Sequence, residues 1–366
     1  MQENGKISLR QFSILVTLFT VGDSLLVLPS GMASQVKEDA WISAIIGVGI
    51  GLLAVCLFTV VASLNPEMTL VEFNNKILGK MLGTVLSLLF VVYFLLGAAA
   101  NIREIGDFMT TQIMPETPIQ AIHIMFLCIV VMAVRLGLET FARAGEIFFP
   151  GFVLFFILFV LFLLPQVHIE NIQPVFGEGF ISILRGSIIP ATFSPLELVV
   201  FFMIMPYVNQ PKHILRSFTM GALIGGIALI LLILLTDLVL GAEATASKMY
   251  PSYNLAKKIN IGQFLERIEA ILSLMWFVTI FFKIVLFTYG ITLGLSQIFK
   301  LKEYKVLTMP CAVFIMVLSI CIAPNIVYYT DAILWYWPFL DLTFDVLFPS
   351  LLLGVYILRK KVFKLR

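Results

Sequence analysis

Charge is what this sequence has least of. Only 13% of its 366 residues are Asp, Glu, Lys or Arg, about half the share of a typical soluble domain. Against that, 60% are hydrophobic, 33 are phenylalanine, and the mean hydropathy is +1.03. So small a polar inventory cannot cover a water-soluble body, and a soluble globular class is excluded. Histidine is nearly missing, with His123, His168 and His213 scattered along the chain. The four cysteines (Cys56, Cys128, Cys311 and Cys321) lie in apolar runs without CxxC spacing. They are expected to be small buried packing residues, neither disulfides nor metal ligands. The sequence carries no metal cluster, cofactor motif or nucleophile–histidine–acid set, so neither an enzyme nor a bound cofactor or metal is expected. Nothing in it points to nucleic acid. A cleavable leader is not expected either: "MQENGKISLR" is polar, and the apolar run behind it is long enough to span a bilayer.

What the sequence does have is long hydrophobic runs. A bilayer core takes about 20 apolar residues per helix. Runs between polar breaks predict ten spans near 9–34, 41–63, 84–110, 119–134, 145–164, 182–206, 214–240, 267–298, 306–323 and 338–358. The expectation is an all-α polytopic membrane protein made of one integral domain over 1–366. Basic residues choose its orientation. Lys6 and Arg10, Lys76 and Lys80, Arg135 and Arg143, Lys212 and Arg216, Lys300, Lys302 and Lys305, and the tail "RKKVFKLR" all fall on one side. The opposite loops hold only Lys37, Lys248, Lys257, Lys258 and Arg267. Both termini are therefore expected in the cytoplasm.

Two of the spans are broken. Span 1 contains "TVGDSLLVLPSG", where Gly22, Asp23, Ser24 and Pro29 interrupt the helix. Span 6 contains "SIIPATFSPLELVVFFMIMP", with Pro190 and Pro195 around "ATFS". Each proline removes a backbone donor and crowds the preceding turn. Span 2 carries Gly47-xxx-Gly51 and span 7 carries Gly221-xxx-Gly225, spacings that let helices approach closely. Interrupted helices at matching positions of two five-helix halves, near 9–164 and 182–358, predict a LeuT-like 5+5 inverted repeat with discontinuous helices 1 and 6. In such a fold the breaks offer backbone groups to a small ligand at the midplane.

A few charges are embedded in the spans, where each costs on the order of 2.5–3.5 kcal/mol on insertion scales. Lys283 sits near the middle of span 8, Asp23 in the span 1 break, and Glu197 two residues past the span 6 break. Arg103, Glu104 and Asp107 end span 3, and Glu266, Arg267 and Glu269 open span 8. These two groups either clamp one another or line an outer entrance. Asp341 and Asp345 are placed at the outer end of span 10 as interfacial residues. "YYTDAILWYWPF" is expected to be an aromatic interfacial belt.

The stretches "FARAGEIFFPGFVLFF", "GSIIPATFSPLELVVFFMIMPYVNQPK" and "LERIEAILSLMWFVTIFFKIVLFTYGITLGLSQIF" resemble the B subunit of spore germinant receptors. That is the endospore germination permease family of the amino acid–polyamine–organocation superfamily, and the resemblance runs over essentially the whole chain. It implies a multi-pass protein of the spore inner membrane that senses an amino acid, sugar or nucleoside. Its implied partners are a receptor A subunit and a lipoprotein C subunit, besides membrane lipid. An amino-acid permease of the same superfamily is the alternative.

The superfamily fold further implies ligand contacts at Gly22, Asp23 and Ser24, at Thr192, Phe193 and Ser194, at Tyr93 and Gly97, and at Lys283 with Thr288. Glu197 joins them by its position beside the break. The superfamily motif keeps a small residue where Asp23 stands, and a carboxylate there repels a ligand carboxylate. In sodium-coupled relatives a cation lies between the span 1 break and the middle of span 8. Lys283 is accordingly a built-in cation at that place, a structural salt bridge, or a lysine snorkelling to the interface.

Overall fold

Ser8 shows why the first helix begins where it does. Its hydroxyl accepts from the Gln11 amide at 3.1 Å, and the Gln11 side chain accepts from the Ser8 amide at 2.9 Å, a reciprocal cap on two orphan donors. Helix α1, Leu9–Val21, runs from this cap to Gly22, whose φ of 23° and ψ of −122° no helix can continue. Helix α2, Ser24–Val36, starts two residues later and passes through Pro29 without a second break. The computed structural model describes the backbone of residues 5–193, 195–259 and 268–363.

The rest of the first half is α3 (Ala40–Ser63), α4 (Leu70–Leu78), α5 (Lys80–Phe108), α6 (Ile119–Leu136) and α7 (Leu138–Leu163). The second half begins with α8 (Phe180–Gly186) and α9 (Ile188–Thr192), then a 3-10 helix over Leu196–Met203. It continues with α10 (Ile214–Leu240), α11 (Ala242–Ala246), α12 (Pro251–Lys258), α13 (Ile268–Ile298), α14 (Thr308–Cys321), α15 (Ile326–Asp341) and α16 (Phe348–Phe363). Among the described residues the one isolated β contact is a parallel bridge between Ile7 and Val208, where the Ile7 amide donates to the Tyr207 carbonyl at 3.0 Å. Nine helical stretches among those residues are long and apolar enough to cross a membrane, and Leu9–Val21 is a shorter apolar helix.

The two halves pack through each other. Helix α1 lies mainly against α10, α3 lies against both α9 and α10, and α5 lies against α13. Small residues permit these approaches. A Cβ on Gly221 would meet the Ser13 carbonyl at 2.5 Å, and one on Gly225 would meet the Thr20 Cβ at 2.7 Å. A Cβ on Gly47 would meet the Ser187 carbonyl at 2.6 Å. The core between the halves is phenylalanine-rich: Phe12 and Phe19 both meet Phe201 edge-on, at centroid distances of 5.4 and 5.6 Å. Such geometry suits the ring quadrupole. Outward faces stay apolar, as with Leu53, Met81 and Phe314.

Two expectations need correcting. Of the cysteines only Cys311 is buried; Cys56, Cys128 and Cys321 are exposed on outward helix faces, and all four are free. The last span also begins at Ile326, well before 338, because α15 runs through Pro338 and a π-helical stretch over Leu342–Leu347 leads into α16. A proline leaves one carbonyl of the preceding turn without its donor, and a π turn is one way the ladder re-registers.

The Gly225–Thr20 approach is directly testable. Gly225→Leu is expected to destabilise the detergent-solubilised protein by about 1–3 kcal/mol through overpacking, read as a lower melting midpoint. Gly49→Leu, where an added Cβ meets nothing within 4 Å, should leave that midpoint unchanged. Equal effects of the two would remove the packing role of Gly225.

Candidate functional site

Lys283 sits midway along α13 with no exposed surface. An ammonium has three protons to place, and three acceptors surround it. Its Nζ lies 2.6 Å from Asp23 Oδ1, in the break between α1 and α2. It pairs with the Glu197 carboxylate, in the first turn after the α9 break. It also donates to the Phe193 carbonyl at 3.4 Å. The Phe19 ring flanks the charge, with its centroid 5.3 Å from Nζ, a cation–π distance. Three elements thus converge on one nitrogen, and snorkelling is ruled out.

The backbone groups left over by the breaks are satisfied by the same helix. Thr279 Oγ1 donates to the Gly22 carbonyl at 3.1 Å, and Trp276 Nε1 donates to the Asp23 carbonyl at 3.3 Å. Trp276, Thr279 and Lys283 lie at i, i+3 and i+7, one face of α13. Across the gap, Ser24 Oγ donates to the Phe193 carbonyl at 3.2 Å. Glu197 Oε1 accepts from Trp337 Nε1 at 2.9 Å.

A second buried group lies alongside. The Tyr93 hydroxyl is 2.7 Å from Asp341 Oδ1 and 2.8 Å from Asp345 Oδ2, and its ring stacks on Phe344 at 4.6 Å. A phenol has one proton to give, so the hydroxyl donates to one of the two at a time. Placing Asp341 and Asp345 at an interface is therefore incorrect: α15 and the π turn bring both, fully buried, to the interior. The aromatic stretch before them is likewise only half a belt. Trp335 and Tyr336 face outward, whereas Tyr329 and Trp337 turn inward and donate to buried carboxylates.

At the end of α5, Arg103 Nε pairs with Asp107 Oδ2 at 2.8 Å, and its Nη1 donates to the Ala323 carbonyl at 2.8 Å. Glu104 Oε1 accepts from the Tyr329 hydroxyl at 3.1 Å. Glu266 and Arg267, expected near this group, lie outside the described residues. Beside it opens a cavity of about 380 Å³, lined by Val27 and Gly31 of α2, Glu104 of α5, Phe193, and Tyr329 and Ile333 of α15.

The sequence-predicted residues divide accordingly. Phe193 lines this cavity, while Asp23, Glu197 and Lys283 form the charged knot next to it. Gly22 lies against the Lys283 stem, where a Cβ would meet Lys283 Cδ at 2.6 Å. Gly97 lies against the Phe287 ring, and Tyr93 belongs to the aspartate pair. Thr192 and Thr288 are brought to neither group: their hydroxyls donate to Ile188 and Ile284, one turn back in their own helices. Ser194 lies outside the described residues. Trp276, Thr279, Trp337, Tyr329 and the two aspartates were missed by sequence reasoning. The i, i+3, i+7 spacing up to Lys283 was the available signal for the first two.

The family model for spore germination proteins matches residues 6–327. The chain belongs to this family. It is 30% identical over 363 residues to spore germination protein KB of Bacillus subtilis, covering 98% of this chain and 96% of that one. It is 24% identical to spore germination protein GerLB of Bacillus cereus, covering 97% and 96%. Among solved structures it resembles MhsT in complex with L-phenylalanine, with a TM-score of 0.64 at 15% identity over 95% of this chain and 97% of that one. It also resembles Mhp1, a nucleobase-cation-symport-1 family transporter, with a TM-score of 0.59 at 12% identity over 96% and 76%. The all-helical fold of this family member is therefore LeuT-like.

Lys283→Met leaves Asp23 and Glu197 buried without their cation, which typically costs about 3–5 kcal/mol. The variant is expected to melt well below the parent, and Lys283→Met combined with Asp23→Asn and Glu197→Gln should recover most of the loss. A Lys283→Met protein as stable as the parent would show that the knot holds nothing together.

Proposed function

We propose that the chain is the nutrient-sensing membrane subunit of a spore germinant receptor. It crosses the spore inner membrane ten times, counting α1 and α2 as one interrupted span, with both termini in the cytoplasm. Residues 9–164 and 182–358 act as inverted repeats, a reading supported by the reciprocal packing of α1 on α10 and α3 on α9. The observation that carries the proposal is the cavity ending at Phe193, the residue whose carbonyl also accepts from Lys283. A small nutrient there touches α2, α5 and α15, and through Phe193 it bears on the knot that joins both breaks. Ligand contacts are thus proposed at Phe193 first. Gly22, Asp23, Ser24, Glu197 and Lys283 position the two breaks.

In this reading Lys283 supplies a fixed positive charge between the α1–α2 break and the middle of α13, so the response needs no sodium. The described loops are short, and a conformational change has to pass to other chains. The receptor A subunit and the lipoprotein C subunit are the proposed recipients. An amino-acid permease shares all of this geometry and is the second reading, supported by the likeness of fold to Mhp1, a transporter. Nutrient-driven uptake into proteoliposomes containing the chain alone would favour it.

The test is germination of spores whose response depends on this chain. Phe193→Ala is expected to raise the nutrient concentration for half-maximal response about tenfold, at unchanged protein level, in line with losing one buried aromatic contact. Replacing sodium by choline should not alter the response, and deleting the A or C subunit should abolish it. An unchanged dose response in the Phe193→Ala spores would place the ligand elsewhere, and a strict sodium requirement would refute the role given to Lys283.

A further inference from the structure

The cavity at Phe193 has walls that are mainly apolar and one buried carboxyl group with an oxygen left unpaired. Val27, Leu28, Phe193, Ile333 and Leu334 supply the apolar surface. Glu104, only 5% exposed, lines the same space. Its Oε1 accepts from Tyr329, but Oε2 has no hydrogen-bond partner among the described residues. A buried acceptor without a donor is costly, and a charged one more so.

The buried cations nearby are already committed. Arg103 is held by Asp107 and by the Ala323 carbonyl. Lys283 is ion-paired with Asp23 and Glu197 and donates to the Phe193 carbonyl. The other charged residues around the cavity are Asp107, Asp331 and Lys248, so acids outnumber bases. Among the described residues around the cavity, a ligand carboxylate would find one cation, Lys248, against three acids. A ligand ammonium would find Glu104.

We propose that this cavity binds its ligand through a protonated amine and that Glu104 is the group that recognises it, with a compact apolar body seated against Phe193 and Ile333. The inference rests on the cavity being the nutrient site. It narrows the ligand class to amine-bearing nutrients, amino acids among them, over sugars and nucleosides.

Ligand-induced thermal stabilisation of the full-length purified chain tests this. The probes are the standard L-amino acids, each with its decarboxylated amine and its deaminated acid (for leucine: L-leucine, isoamylamine and isocaproate), together with D-glucose and inosine. At least one amino acid and its amine are expected to stabilise the chain, whereas the matching deaminated acid does not. Glu104→Gln, which keeps an acceptor for Tyr329, should weaken the amine-bearing probes by on the order of tenfold to a hundredfold. The wild-type comparison of amine with acid stands even if that variant does not fold. Equal stabilisation by the deaminated acid overturns the proposal, as does unchanged affinity in a folded Glu104→Gln protein. Stabilisation by glucose or inosine alone overturns the amine but leaves the nutrient reading standing. Failure of every probe overturns the proposal, and the germination assay then decides separately whether the chain senses a nutrient.

Discussion

The Lys283 ammonium organises the centre of this molecule. A charge placed there is tolerable only if every proton finds an acceptor and the net charge is offset. An intact α-helix cannot help, because its mid-helix carbonyls are already used by its own ladder. The breaks supply what the ladder withholds. Ending α1 at Gly22 brings Asp23 to the ammonium, and ending α9 at Thr192 frees the Phe193 carbonyl and sets Glu197 one turn further on. Without the lysine the breaks would be costly irregularities in an apolar medium. Without the breaks the lysine could not be buried at all.

The same requirement explains the packing around it. Breaks leave carbonyls that need donors, and α13 meets those of Gly22 and Asp23 with Thr279 and Trp276. For one helix to serve both breaks, all three must approach closely, and small or ring-lined contacts at Gly22, Gly47 and Gly97 allow it. The cavity is the remaining space on the α11–α12 side of this arrangement. Phe193, one of its walls, belongs to the segment that Lys283 holds.

Much of this was legible in the sequence. Apolar runs separated by charges give the helices, because length and hydropathy alone decide whether a segment can cross a bilayer. The interruptions at Gly22 and after Thr192 were readable from glycine and proline chemistry, and Lys283 from the cost of its charge. Direction was not legible. Thr192 and Thr288 have the composition of ligand contacts, yet a helical hydroxyl can turn back onto the carbonyl four residues earlier, and these two do. Asp341 and Asp345 read as interfacial because the tryptophans and tyrosines before them suit a headgroup layer. Only the course of α15 through Pro338 into the π turn reveals that those carboxyls face Tyr93. Their partner lies 248 and 252 positions away along the chain, beyond any local pattern.

Gly22 and Lys283 also share one volume: the lysine stem occupies the space that any side chain at position 22 would need. The two positions are therefore not free to drift independently. A lineage that acquires even alanine at 22 must first shorten or reroute the residue at 283, and one that loses the lysine removes one obstacle, leaving the Phe19 carbonyl 2.7 Å from an added Cβ and the strain of a positive φ. Descent should treat the pair as a single inherited character, visible as joint substitution where relatives depart from this arrangement.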